Sequence, residues 1–165
     1  MRKNIKLTFV LSFILLTTST ITTRGSVFEN LSGTWQGTGV VSKMDSKIEM
    51  KWERVLAGKF WKLSFVNEMN GANGTIKFEG VAFYKAIDKT KSAGTWFDSF
   101  GMIRPIDAMI ETDRLVSNWG TIETELGSTI YRLTAENSLE VVDSVKSKDG
   151  TWREFGRSTL SRISK

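Results

Sequence analysis

After Ser26, apolar and polar residues alternate with a period of two, the mark of strands that bury one face and wet the other. Ile48, Met50 and Trp52 alternate with Glu49, Lys51 and Glu53; Trp61, Leu63 and Phe65 alternate with Phe60, Lys62 and Ser64. NGANG at Asn70–Gly74 offers residues that accept positive φ and predicts a turn. Further strand runs are TIKFEGVAFYKA, SAGTWFDS, PIDAMIET, RLVSNWG, GSTIYRLT, SLEVVDSVK and TWREFGRSTLSRI, with turn residues between them. About ten short strands with turns roughly every 8–12 residues indicate an all-β sandwich or barrel. No helical period of useful length occurs after the first 25 residues. Each strand run follows its neighbour without a long crossover. That favours an antiparallel up-and-down β-barrel over a two-sheet sandwich, because closure removes exposed edges.

The first 25 residues break the alternation. MRKNIK is basic, LTFVLSFILL is apolar, and TTSTITTRGS is small and polar, which is the order of a secretory signal peptide. Leu7–Leu16 is shorter than the ~20 apolar residues that span a bilayer. The expectation is a signal over 1–25, cleaved after Ser19 or near Gly25, and one barrel domain over 26–165. The product is then exported, periplasmic or secreted, with no stable membrane insertion once the signal is removed. Composition supports this division. Of 23 Lys and Arg, four (Arg2, Lys3, Lys6, Arg24) precede Gly25 and no acid does. Without them 19 bases face 18 acids, so the net charge of +5 belongs mostly to the leader. No basic cluster interleaved with aromatics exists, and a nucleic-acid partner is not expected.

The chain has no His and no Cys. This excludes the usual metal, disulfide and nucleophile chemistry and leaves no lipid-anchored cysteine. The fold must rest on its core, for which six Trp and ten Phe are available.

Asn30–Gly39 reads NLSGTWQGTG. Its Gly33-Thr34-Trp35 resembles the G-x-W entry motif of the calycins, which comprise lipocalins, fatty-acid-binding proteins and avidins. The resemblance implies that Trp35 plugs one end of the barrel under an arginine from the last strand. Arg157 in REFGRSTLSR is the preferred match, with Arg153 and Arg162 as alternatives. WERVLAGKFWKLSF, FEGVAFYK, GTWFDSFG and KDGTWREFGR resemble a bacterial group of exported lipocalin-like proteins of undefined function, which are distantly similar to nitrobindin. Nitrobindins hold haem iron through a histidine that this chain lacks, so no cofactor is expected, and Tyr84 and Tyr131 read as wall residues. Fatty-acid-binding proteins cover the mouth with a helical pair between their first two strands. Here SKMDSK leaves room for a tight turn, so no helical lid is expected.

Trp52, Trp61, Phe65, Trp96 and Trp119 are candidate cavity walls, with plain core packing as their other reading. Arg54 continues the inward face of Ile48, Met50 and Trp52, and Arg132 shares a face with Ile130. An inward arginine needs a partner, which a ligand carboxylate would supply. The competing reading puts both at a rim or beside Glu79, Asp98 or Glu123. Asp98 either meets a ligand or caps its turn. The first functional reading is a carrier of a small, mainly hydrophobic molecule, acidic where an arginine anchors it. A cavity enzyme using Asp, Glu or Tyr is the second. A filled barrel with a structural or interaction role is the third, and its signature is an interior with no pocket.

Overall fold

A computed structural model describes residues 26–72 and 74–165. The expected signal peptide and Asn73 lie outside the described residues. Ten strands form one closed barrel: β1 (Gly33–Val41), β2 (Met44–Val55), β3 (Phe60–Gly71), β4 (Gly74–Ala86), β5 (Lys91–Asp98), β6 (Ile103–Ile110), β7 (Arg114–Gly120), β8 (Leu126–Ala135), β9 (Ser138–Lys146) and β10 (Trp152–Ser164). Each strand pairs antiparallel with the next, and β1 closes the ring against β10, from Thr34↔Ser164 to Val41↔Gly156. This is the expected up-and-down barrel.

The alternation read from the sequence sets the faces. On β2, Ser46, Ile48, Met50 and Trp52 are buried, whereas Lys47, Glu49 and Lys51 are exposed. On β3, Trp61, Leu63, Asn67 and Met69 are buried. The β1–β2 connection is a two-residue turn in which Ser42 (φ 51°) and Lys43 (φ 67°) are both left-handed, the geometry of a type I′ hairpin. As SKMDSK indicates, no helix intervenes there.

The sequence pattern did not indicate a helix at Val27–Leu31, named α1. Five residues are too few to show a helical period. Yet Val27, Phe28 and Leu31 are all buried, and they fill the end of the barrel where β1 starts and β10 finishes. The Phe28 ring lies 6.0 Å from Trp52, 5.8 Å from Trp61 and 5.6 Å from Tyr84. With Leu63, Leu115, Leu139 and Leu160 these rings pack the lower barrel solid.

Trp35 is fully buried in this end, and its Nε1 donates to the Leu31 carbonyl at 2.7 Å. The arginine across it is Arg162. Its guanidinium carbon sits 4.0 Å from the centre of the Trp35 ring. Its Nη2 donates to the Asn30 carbonyl at 2.6 Å, and its Nη1 donates to the Ser32 carbonyl. The preference for Arg157 is thereby corrected. Arg157 pairs with Val40 on β1, five residues up from Arg162 along β10. It is exposed there and binds Glu154 (2.7 Å) and Glu140 (2.5 Å) on the outer surface. Gly33 is required by this closure. Its φ is 113°, and a Cβ there would stand 2.2 Å from the Ser164 carbonyl oxygen.

Three charge-assisted hydrogen bonds, to the carbonyls of Asn30, Ser32 and Glu136, and a ring contact rest on Arg162, whereas Arg157 joins an exposed ion-pair network. In urea unfolding, Arg162→Met is expected to cost about 2–3 kcal/mol and Arg157→Met less than about 1 kcal/mol. Equal losses would show that Arg162 does not hold the end closed.

Candidate functional site

The upper half of the barrel is hollow. A cavity of about 420 Å³ opens at the end opposite α1, among the β1–β2, β5–β6 and β9–β10 connections. This removes the filled-barrel reading, whose mark was an interior with no pocket. Its floor is made by Met50, Tyr84 and Tyr131, which border the packed lower core. Trp52 lies beneath, 5.4 Å from Tyr84 and 5.2 Å from Tyr131.

One wall is aromatic. Phe65 on β3, Phe78 on β4 and Trp96 on β5 have ring centres 6.0–6.2 Å apart, and Phe100 caps the group 5.3 Å from Phe78. Trp119 on β7 continues the lining past β6, with the Arg104 guanidinium 5.3 Å from its ring centre. Both indoles lie on glycine. A Cβ at Gly80 would stand 2.1 Å from Trp96, and one at Gly127 would stand 2.0 Å from Trp119. No other residue type lets a ring lie so close to the neighbouring strand.

The indole nitrogens are tethered. Trp96 Nε1 donates to Asp98 at 3.0 Å, and Trp119 Nε1 donates to the Thr129 hydroxyl at 3.1 Å. Asp98 also accepts from the backbone amides of Phe100 (3.0 Å) and Met102 (3.1 Å) and from Arg104 Nη1 (3.0 Å). Its side chain is 1% exposed. Four donors occupy its carboxylate, so Asp98 shapes the β5–β6 turn and the wall and has no oxygen to spare for a ligand. Its turn-capping reading fits this geometry.

Of the wall candidates, Phe65, Trp96 and Trp119 line the cavity, as does Asp98. Trp52 and Trp61 do not line it; they pack around Phe28 in the lower core. Arg54 and Arg132 are corrections too. Arg54 follows the inward parity of β2 but leaves the barrel at the lower rim, where it binds Glu29 and lies over Trp61 at 4.8 Å. Arg132 does share a face with Ile130, but it is the outer one, and it pairs with Glu140 at 3.4 Å. Hydroxyl groups reach the lining from Tyr84, Ser117, Thr129 and Tyr131.

The sequence reading missed Asn67 and Asp143. Both interrupt an inward apolar series: Trp61, Leu63, Phe65, Asn67, Met69 on β3, and Leu139, Val141, Asp143, Val145 on β9. That interruption is the signal that could have found them. Asn67 is 2% exposed, and its Oδ1 has no hydrogen-bond partner among the described residues. Asp143 accepts the Thr129 hydroxyl at 2.7 Å, so a chain runs from Trp119 through Thr129 to a carboxyl on the cavity wall. Tyr84 bonds Ser117 at 3.0 Å, and burial pushes its hydroxyl up to about 12 and that of Tyr131 well above the ordinary range. Among the described residues no cluster of acidic side chains could hold a metal ion.

The chain matches no protein-family model and no curated protein in sequence. Its fold is similar to that of the S-type phycobiliprotein lyase CPES from Guillardia theta, with a TM-score of 0.60 and 14% identity over 84% of this chain and 93% of that one. It is also similar to Rv2717c from M. tuberculosis, with a TM-score of 0.57 and 14% identity over 81% and 92% of the two chains. At such identities the likeness is one of fold, an antiparallel ten-strand barrel.

Burial pushes the Asp143 carboxyl from 3.8 up to about 6. The native state therefore retains a proton that the unfolded chain releases. Its contribution to stability is full below about pH 4 and is lost as pH rises through about 6. Asp143→Asn keeps the acceptor for Thr129 and removes the titration. It is expected to be about 1–3 kcal/mol more stable than the parent near pH 8, with the difference vanishing near pH 3.5, in urea titrations across that range. The same pH slope in the variant would assign it to another group.

Proposed function

We propose that the protein is an exported calycin-like barrel that binds and carries a small, mainly hydrophobic molecule in its upper cavity. The observation that carries this reading is the cavity itself: about 420 Å³, open at one end, walled by aromatic rings, with few polar atoms converging on it. That volume suits one small ligand. The fold likeness to a phycobiliprotein lyase supports a barrel that handles a small molecule, by analogy of fold alone.

Two measurements test it. The protein isolated from its own host is expected to show, in native mass spectrometry, a ligand mass lost on denaturation. The ligand-free protein is expected to bind Nile red, a flat neutral dye, saturably and one to one, with quenching of tryptophan emission. An apo mass together with no saturable dye binding would overturn the carrier reading.

Export rests on the basic, apolar and polar order of residues 1–25. The buried plug supports a cut upstream of it, because loss of Val27 or Phe28 would open the lower core. The mature amino terminus, read by mass spectrometry of the exported protein, is expected between residues 20 and 26. A mature chain starting beyond Phe28, or a full-length chain kept in the cell, would sink this reading.

A further inference from the structure

Hydrogen bonding inside the cavity indicates the class of ligand, on the basis of the carrier reading. The expected carboxylate anchor is not there. Arg54 and Arg132 point out of the barrel, and Arg104 is taken by Asp98 (3.0 Å) and Glu125 (3.2 Å). Arg153 lines the cavity at its exposed rim. The interior instead offers acceptors. Asn67 Oδ1 has no donor and its Nδ2 makes no hydrogen bond among the described residues, so a turn of the amide presents the oxygen to the cavity. A carbonyl oxygen left without a donor is destabilising, and a ligand N–H or O–H would relieve that. Asp143 Oδ1 takes the Thr129 hydroxyl, and among the described residues no protein donor reaches Oδ2.

These two acceptors lie on well-separated parts of the wall. β3 and β9 have β2, β1 and β10 between them on one side and β4 to β8 on the other. Phe65, Trp96 and Trp119 also line the cavity. Aromatic faces attract flat rings and cations, and an ionised Asp143 adds to the second preference.

We propose that the cavity selects flat aromatic molecules bearing N–H or O–H donors, cationic amines ahead of carboxylates, with the donors on Asn67 Oδ1 and Asp143 Oδ2. Calorimetric titration of the intact barrel near pH 8 with 2-naphthylmethylamine, 2-naphthol and 2-naphthoate tests it. The amine is expected to bind at least ~10-fold more tightly than the carboxylate, with the naphthol between them. Asp143→Asn is expected to bring amine and carboxylate close together, and Asn67→Leu to weaken the naphthol. Naphthoate binding as tightly as the amine to the unaltered protein would overturn the inference, and that comparison needs no variant to fold. Nile red binding without any naphthalene binding would overturn it too, while leaving the carrier reading standing. Failure of every probe, dye included, would overturn both.

Discussion

The barrel depends on the contact between Arg162 and the plugged end. A ten-strand ring has a wide interior, and side chains pointing inward do not fill it unaided. Here one end is filled by α1, and α1 is held by its own carbonyls. Arg162 takes the carbonyls of Asn30 and Ser32 and lies on Trp35, whose indole takes the carbonyl of Leu31. Three carbonyls around the end of a five-residue helix thus find donors from β1 and β10, the pair of strands that closes the ring. A helix this short has little stability of its own. Tertiary packing and this latch hold it.

Filling the lower end lets the upper end stay open. Phe28, Trp52 and Trp61 concentrate apolar burial below the floor, where it stabilises the ring without occupying the mouth. Above the floor, the rings are kept against the wall. Gly80 and Gly127 let Trp96 and Trp119 lie flat on neighbouring strands, and Asp98 and Thr129 fix their N–H groups. The cavity is therefore shaped by tethered aromatic surfaces, which keep its opening from collapsing inward.

The number, order and faces of the strands were legible in the sequence because period-two alternation is local, as in Ile48, Met50 and Trp52. The helix was not, since five residues carry no period, and its role depends on Trp35 and Arg162, which lie far apart in the chain. Arg157 sits mid-strand on the outer face of β10, whereas Arg162 continues the inward series of Gly156, Ser158 and Leu160 near the strand's end. Arg162 faces the plugged end through the β1–β10 register, and a shift in that register between Thr34 and Trp35 helps place it there. Half of the wall was legible through Phe65, Trp96 and Trp119. Arg54 and Arg132 were misplaced because parity says which face a residue occupies but not where the barrel ends.

The polar residues inside the cavity carry more information than the aromatic ones. A buried aromatic ring is stabilising in a packed core and in a ligand site alike, so Trp52 and Trp119 look the same in sequence. A buried acceptor without a donor is costly in the empty barrel and becomes favourable when something donates to it. Asn67 has that property, and its neighbours on β3, Phe65 and Met69, would pack equally well beside a leucine. Asp143 adds a second such position, with its proton affinity raised by the same desolvation that makes it responsive to a ligand's charge. The outward arginines are matched by outward or rim acids, Glu29, Glu140 and Glu154, so cationic charge is spent on the surface. Below Arg153 at the rim and the paired Arg104, what faces the cavity is mostly oxygen and aromatic face, a combination that recognises donors.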